Sequence, residues 1–203
     1  MAASSVMSQI RAVGACDSFG SLIELGFREA VELALWERRV GSETRDAFRD
    51  LDYSGFVDFR VDGDEAGILT TAEAFLAGRN WSPLVVERIM MDIRAILCAS
   101  SGHAAEYTLR LEYVTDDACR KFHKDKTDIR LITTYLGRGT QWFDEQQGNG
   151  EPAIQEMSTF EVGMFLGKRC GKAGHVFHRS PPIEGTGSAR FVMVFDIERP
   201  GIC

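Results

Sequence analysis

The side chains best suited to binding a metal ion lie in the second half of the chain. His123 and Asp125 are separated by one residue, and His178 follows about fifty residues later. In an extended segment alternate side chains point to the same side, so His123 and Asp125 would face one site together. Two imidazoles and one carboxylate on one face of a metal leave the other face open, which suits iron(II) binding a co-substrate together with O₂.

Arg190 is a candidate anion-binding residue. It begins the apolar run Phe191–Ile197, shortly after His178. A guanidinium buried at the edge of a cavity needs an anion, because an unpaired buried charge is costly, and its planar fork suits a carboxylate bound at two points. The alternative is a structural ion pair with Glu184 or Asp196.

Other interpretations of these residues remain open. An isolated His-x-Asp sequence is common by chance, and a histidine before Pro181-Pro182 is often structural. His175 is a rival to His178, although the glycines and prolines around the two make a shared helical face unfavourable. The order of His-x-Asp, strand, Gly-x-Gly turn, second histidine, arginine and closing apolar strand nevertheless favours a metal site.

Apolar residues in the second half recur with the period of β-strands. Four runs fit strands, and three glycine pairs mark turns. Such short strands at regular spacing predict a sandwich or barrel rather than a parallel sheet. The strands are predicted around 107–113, 129–135, 160–166 and 191–197, and the turns at Gly137–Gly139, Gly148–Gly150 and Gly185–Gly187.

The first half reads as a mixture of helices and strands. Pro83 and the apolar spacing after it predict a helix that ends near Ala99. A shorter helix is expected over 42–51 and a strand over 56–61, whereas the segment 31–36 fits a strand or part of a helix. We expect one domain over residues 1–203, with a mixed α/β extension at 1–103 and the site-bearing core at 104–203.

Composition excludes several classes of partner. The net charge is −7, and residues 1–103 carry 16 acidic against 10 basic side chains, so no basic footprint for nucleic acid is present. No apolar run is long enough to span a membrane, and the N-terminus lacks the pattern of a signal peptide. Five scattered cysteines predict free thiols, and hence a cytoplasmic protein.

The order of these motifs resembles the iron(II)/2-oxoglutarate-dependent oxygenases. The resemblance implies an α+β fold with a double-stranded β-helix (jelly-roll, cupin-like) core and N-terminal helices packed on it. It implies His123, Asp125 and His178 as iron ligands and Arg190 as the 2-oxoglutarate anchor. A closer resemblance, over most of the chain, is to a bacterial family catalogued as domain of unknown function 1826, carried by the segments 35–38, 121–125, 130–142 and 178–182.

One departure from the oxygenase pattern concerns 2-oxoglutarate. Many of these enzymes have Arg-x-Ser, whereas Val192 stands two residues after Arg190. Tyr135 is expected to assist in binding the co-substrate, with Thr133 and Arg110 as alternatives. No catalytic residue is predicted beyond the metal ligands, and zinc or nickel are alternatives to iron(II).

Three functions follow from the sequence: an oxygenase, a non-catalytic cupin-type module that binds a metal or small molecule, and a scaffold with a vestigial barrel. The expected substrate is a small molecule or a peptide, and neither its identity nor the oligomeric state follows from the residues.

Overall fold

The computed structural model describes residues 13–27, 31–147, 152–170 and 174–199, so the predicted Gly148–Gly150 turn and Cys203 lie outside the described residues. The helices are α1 (Phe19–Phe27), α2 (Ser42–Arg49), α3 (Glu65–Ala77) and α4 (Pro83–Ser100). The strands are β1 (Val13–Ala15), β2 (Leu33–Trp36), β3 (Phe59–Gly63), β4 (Glu106–Val114), β5 (Ile129–Leu136), β6 (Gln141–Asp144), β7 (Gln155–Glu156), β8 (Val162–Leu166), β9 (Val176–Arg179) and β10 (Arg190–Glu198). A 3-10 turn spans Lys168–Cys170.

The strands form two sheets. The large sheet has the order β1-β2-β8-β5-β10-β4-β3, and all of its neighbouring strands are antiparallel except β1 and β2. The small sheet has the order β7-β6-β9 and is antiparallel. The centre of the large sheet is therefore formed by strands from the second half of the chain, and strands from the first half lie at both of its edges.

Each face of the large sheet buries a different set of apolar side chains. One face packs against all four helices in the main core, to which α4 contributes most; its buried positions include Ile89, Ile93 and Ile96. The other face packs against the small sheet, where Ile132, Val192 and Val194 meet Val176 of β9. Because side chains alternate between the two faces of a strand, β5 and β10 contribute residues both to the core beneath the helices and to the space between the two sheets.

The structure is an α+β arrangement of mainly antiparallel sheets with helices on one side, as the sequence predicts. Three expectations of detail are settled: the segment 31–36 contains strand β2, the helix from Pro83 ends at Ser100, and the four predicted strands of the second half are β4, β5, β8 and β10. In the described ranges no helix is both long enough and apolar enough to cross a membrane.

Candidate metal centre

The two histidines of the predicted site lie side by side because their backbones pair. The His123 amide donates to the His178 carbonyl at 2.9 Å, and the His178 amide donates to the His123 carbonyl at 3.0 Å. This isolated antiparallel bridge extends the small sheet beyond β9. The two ring centroids are consequently only 4.8 Å apart, although the residues are distant in sequence.

Asp125 completes a cluster of three candidate ligands. One ligand atom from each of His123, Asp125 and His178 lies within 4.8 Å of the others, and this is the cluster of metal-binding type found among the described residues. His178 Nε2 is 2.9 Å from Asp125 Oδ2, and His123 Nε2 is 3.6 Å from Asp125 Oδ1. Atoms bound to one ion at about 2.1 Å and at roughly right angles lie about 3 Å apart, so the separation of His178 from Asp125 is that of a metal site, while His123 lies slightly farther from Asp125.

Two further observations fit a divalent metal. Asp125 Oδ2 is buried and has no hydrogen-bond donor in suitable geometry, despite the proximity of His178. His123 Nδ1 lies 2.8 Å from the carbonyl of Lys121, and since a carbonyl only accepts, Nδ1 carries the proton. The lone pair of His123 is then on Nε2, which faces the cluster, and a carbonyl bound to the other ring nitrogen is the usual support of a ligating histidine.

Arg130 holds the carboxylate of Asp125 from the large sheet. One of its terminal nitrogens contacts Asp125 Oδ1, and its other two nitrogens donate to Asp196 at 2.6 and 2.7 Å. Burial alone would raise the pKa of Asp125, but His123, His178 and Arg130 together outweigh it and hold that pKa well below its usual range. Asp125 is therefore an anion at neutral pH, as a metal ligand must be.

The pKa values of the two imidazoles are shifted in opposite directions. The neighbouring carboxylate of Asp125 raises the pKa of His123, whereas burial lowers the pKa of His178. His178 is 5% exposed, so its neutral form is favoured even before a metal competes with the proton.

Arg190 lines a cavity of about 80 Å³ that His123 and His178 also line. Its side chain is 2% exposed and donates only to uncharged acceptors. These are the Arg138 carbonyl at 2.6 Å, Ser180 Oγ at 2.7 Å, Thr134 Oγ1 at 3.1 Å and Thr140 Oγ1 at 3.3 Å. The alternative ion pair with Glu184 or Asp196 is not what the structure has, because Asp196 pairs with Arg130 and the Arg190 donors are directed elsewhere.

Burial lowers the pKa of Arg190 to about 10, so the guanidinium stays charged at neutral pH. A buried cation with only neutral partners, on the wall of a cavity and beside three hydroxyl groups, could hold an anion.

Tyr135 lies on the opposite face of β5 from the cavity. Its hydroxyl donates to Asp92 Oδ2 at 2.8 Å, its ring stacks on Phe48, and it is fully buried among the helices. Thr133 has the same orientation and accepts from Arg38. The structure therefore does not bring Tyr135 to Arg190, and the alternation along β5 explains why: Thr134, one residue earlier, faces the site instead.

The structure separates the two rival histidines. His178 is in the cluster, whereas His175 lies outside it and has its Nε2 2.8 Å from the side-chain amide of Gln146. Arg110, the other alternative for the co-substrate, does line the cavity, and it pairs with Glu112 at 2.8 Å.

Three site residues were not identified from the sequence. Arg130 could have been found, because it shares the face of Ile132 on a strand that begins just after Asp125. Thr134 follows from the same alternation once that face is known. Ser180 had no sequence signal, since its contact with Arg190 joins the end of β9 to the start of β10 across a loop.

Comparisons with known proteins agree with this fold. The dioxygenase for auxin oxidation 1 of Arabidopsis thaliana, solved as a 2-oxoglutarate binary complex, superposes with a TM-score of 0.54 at 14% identity over 94% of each chain. The rice dioxygenase for auxin oxidation gives 0.52 at 14% identity, covering 93% of this chain and 86% of its own. A Pseudomonas putida prolyl-4-hydroxylase gives 0.50 at 13% identity, covering 90% and 100%.

At such identities these structures are similar in fold alone. No curated protein sequence matches the chain. The family model described as "Protein of unknown function (DUF1826)" matches residues 21–196, which is most of the chain. The protein therefore belongs to the DUF1826 family, and it has the fold of structures that include 2-oxoglutarate-binding oxygenases.

Proposed function

We propose that the protein is an iron(II)- and 2-oxoglutarate-dependent oxygenase built on a double-stranded β-helix. The observation that carries the proposal is the cluster of His123, Asp125 and His178, two members of which line the same cavity as Arg190. The fold supports it: from β4 to β10 the chain passes repeatedly between the two facing sheets, as in a jelly roll.

The donor set suits a mononuclear iron(II) site. Two imidazole nitrogens and one carboxylate oxygen on one side leave the remaining coordination positions directed into the cavity. Iron(II) held there would supply the activation of O₂, coupled to decarboxylation of 2-oxoglutarate and oxidation of a C–H bond of the substrate. The chain's own contribution is to fix the ligands through Arg130 and the Lys121 carbonyl.

Arg190 and the hydroxyls around it would bind the distal carboxylate of 2-oxoglutarate. The serine that many oxygenases carry two residues after the arginine is replaced by Val192, but Ser180 Oγ lies 2.7 Å from Arg190 and places a hydroxyl at the same guanidinium. Thr134 and Thr140 add two more. The anion would thus meet the positive charge of the guanidinium and the hydroxyl groups beside it, a combination that suits a buried carboxylate.

The cavity also has an apolar part of its lining. Ile132, Val192 and Val194 line it together with the histidines and Arg190. They would contact the methylene groups of 2-oxoglutarate and exclude water from the reacting centre. The substrate is proposed only as a small molecule or a peptide. The free thiols of Cys16, Cys98 and Cys119 support placing the enzyme in the reducing cytoplasm.

The test is an anaerobic titration of the protein with iron(II) and then 2-oxoglutarate, followed through the weak visible charge-transfer band that appears when both bind. Air is then admitted and succinate is measured. We expect the band and slow succinate formation in the wild type and in His175→Ala, and neither in His178→Ala. His175→Ala is the matched control, because it removes an imidazole three residues away that lies outside the cluster.

If the wild type gives no band and no succinate, the oxygenase proposal is refuted. Tight binding of zinc with indifference to 2-oxoglutarate would instead identify the non-catalytic metal-binding module.

A further inference from the structure

We propose that Glu32, in the segment just before β2, is a positioning residue for the metal centre and acts through Lys124. This inference rests on the proposed function, since it concerns the geometry of the same three ligands. The pair of side chains Glu32 and Lys124, here called the latch, joins the first half of the chain to both segments that carry the ligands.

The first arm of the latch reaches the His-x-Asp segment. Lys124 is the residue between His123 and Asp125, and its Nζ lies 2.5 Å from Glu32 Oε2. Side chains on an extended segment alternate, so Lys124 points away from the metal cluster while its two neighbours point into it. Holding the Lys124 ammonium therefore fixes the backbone from which both neighbouring ligands project.

The second arm reaches the strand that carries His178. The amide of His175 donates to Glu32 Oε2 at 2.7 Å, and the amide of Val176 donates to the same oxygen at 3.1 Å. Val176 begins β9 and lies two residues before His178. The Glu32 carboxylate thus binds the Lys124 ammonium, which lies between two of the ligands in sequence, and also the backbone just before His178.

The latch is partly buried and closely fitted. The side chain of Lys124 is 9% exposed and that of Glu32 is 14% exposed. A Cβ added at Gly174 would overlap both Lys124 Nζ and Glu32 Oε2, so the glycine is what allows the backbone to approach them. The ammonium also lies 5.7 Å from the centre of the Phe177 ring.

A buried ion pair is weak evidence for added stability, because desolvation of both charges offsets their attraction. Its best supported use is to select one arrangement of the chain over neighbouring ones. Here the arrangement selected is the register of residues 123–125 against β9. Backbone hydrogen bonds between His123 and His178 hold the two segments together at the ligands. The latch holds the same segments together through the side chain of Lys124, on the other side of residues 123–125.

The inference predicts that breaking the latch weakens metal binding in a folded protein. We expect Glu32→Gln and Lys124→Gln each to lower the affinity for cobalt(II), used as the probe, by about 10- to 100-fold, the usual effect of removing a residue that orients ligands. The double variant should bind no more weakly than Glu32→Gln alone, because Glu32→Gln already removes the ion pair that Lys124→Gln removes.

The experiment measures cobalt(II) affinity and the visible cobalt absorption of the wild type, both single variants and the double variant, with circular dichroism to verify folding. Glu73→Gln is the matched control: it breaks an exposed ion pair, Glu73 with Arg94 at 2.6 Å, far from the cluster. A purely structural latch would lower the melting temperature but leave the affinity of the folded protein unchanged.

Affinities of the folded single variants within twofold of the wild type would overturn the inference and leave the proposed function intact. Failure of the wild type itself to bind cobalt(II) would instead overturn the proposed metal centre, and the inference with it. If Glu32→Gln does not fold, Lys124→Gln and the double variant decide the question.

Discussion

Replacing Arg190 by lysine should retain the buried positive charge and yet largely abolish binding of 2-oxoglutarate. The guanidinium divides its donors among four acceptors at 2.6 to 3.3 Å, and only a rigid fork can reach all of them while also meeting a carboxylate. A single ammonium nitrogen cannot, so at least one hydrogen bond between charged partners is lost. Such a bond contributes about 1.5–3 kcal/mol, which corresponds to a roughly 10- to 150-fold rise in Kd.

The assay is thermal unfolding of the metal-loaded protein with and without 2-oxoglutarate, under anaerobic conditions. At a concentration 100 times the wild-type Kd, the ligand should stabilise the wild type by about 2.7 kcal/mol and a variant with 100-fold weaker binding by about 0.4 kcal/mol. Arg138→Lys is the control, because the Arg138 side chain is exposed and pairs with Glu156. Equal stabilisation of Arg190→Lys and the wild type would refute Arg190 as the carboxylate anchor.

Three further substitutions test the rest of the structure. Tyr135→Phe should cost about 1–3 kcal/mol of stability by depriving Asp92 Oδ2 of its donor, and should leave the Kd for 2-oxoglutarate unchanged. Gly139→Ala should lower the unfolding free energy by about 1–3 kcal/mol, measured in urea, because its Cβ would overlap the Met157 carbonyl. Burial raises the pKa of Glu161, so its charged form is disfavoured in the folded state; Glu161→Gln should therefore raise the melting temperature at neutral pH, with the gain disappearing as the pH falls through that pKa.

Each of these has a matching control and a contrary outcome. A weaker 2-oxoglutarate Kd in Tyr135→Phe would place that hydroxyl in the site after all. Gly20→Ala, in helix α1 with no close neighbour, should not destabilise, and a loss as large as that of Gly139→Ala would contradict the steric argument. A stability gain for Glu161→Gln that persists in acid would show that its charge is not the cause.

The sequence predicted the strands better than the helices. β4 shows a clear alternation of buried and less buried positions, and β5 and β10 are recognisable as short apolar runs because both of their faces are buried. Helix α3 was not predicted, because its buried Ile68, Ala72 and Leu76 occupy a narrow stripe between glycine, threonine and glutamate. Its start at Asp64, whose carboxylate accepts from the Gly67 amide, was nevertheless a recognisable capping signal.

For the site, spacing predicted which residues could meet but not which way a strand faces. His123, Asp125 and His178 could be proposed because residue type alone restricts metal ligands to a few candidates. To choose between Thr134 and Tyr135, one must know which face of β5 points to the cavity. The sequence does not reveal this, because both faces of β5 are buried. Ser180 and Glu32 contribute through contacts formed only by folding, so no local pattern marks them.

The backbone bridge between His123 and His178 would make retention of the proposed metal ion a property of the sheet edge as well as of three side chains. If that edge frays, the two amide hydrogen bonds break and both imidazoles depart together, so release of the ion and local opening become one cooperative event. Metal, in turn, should slow hydrogen exchange at the amides of residues 123 and 178 far more than at amides of the helices. The bound metal would then stabilise the edge of the small sheet. The rate at which the metal dissociates would therefore depend on how often that edge opens.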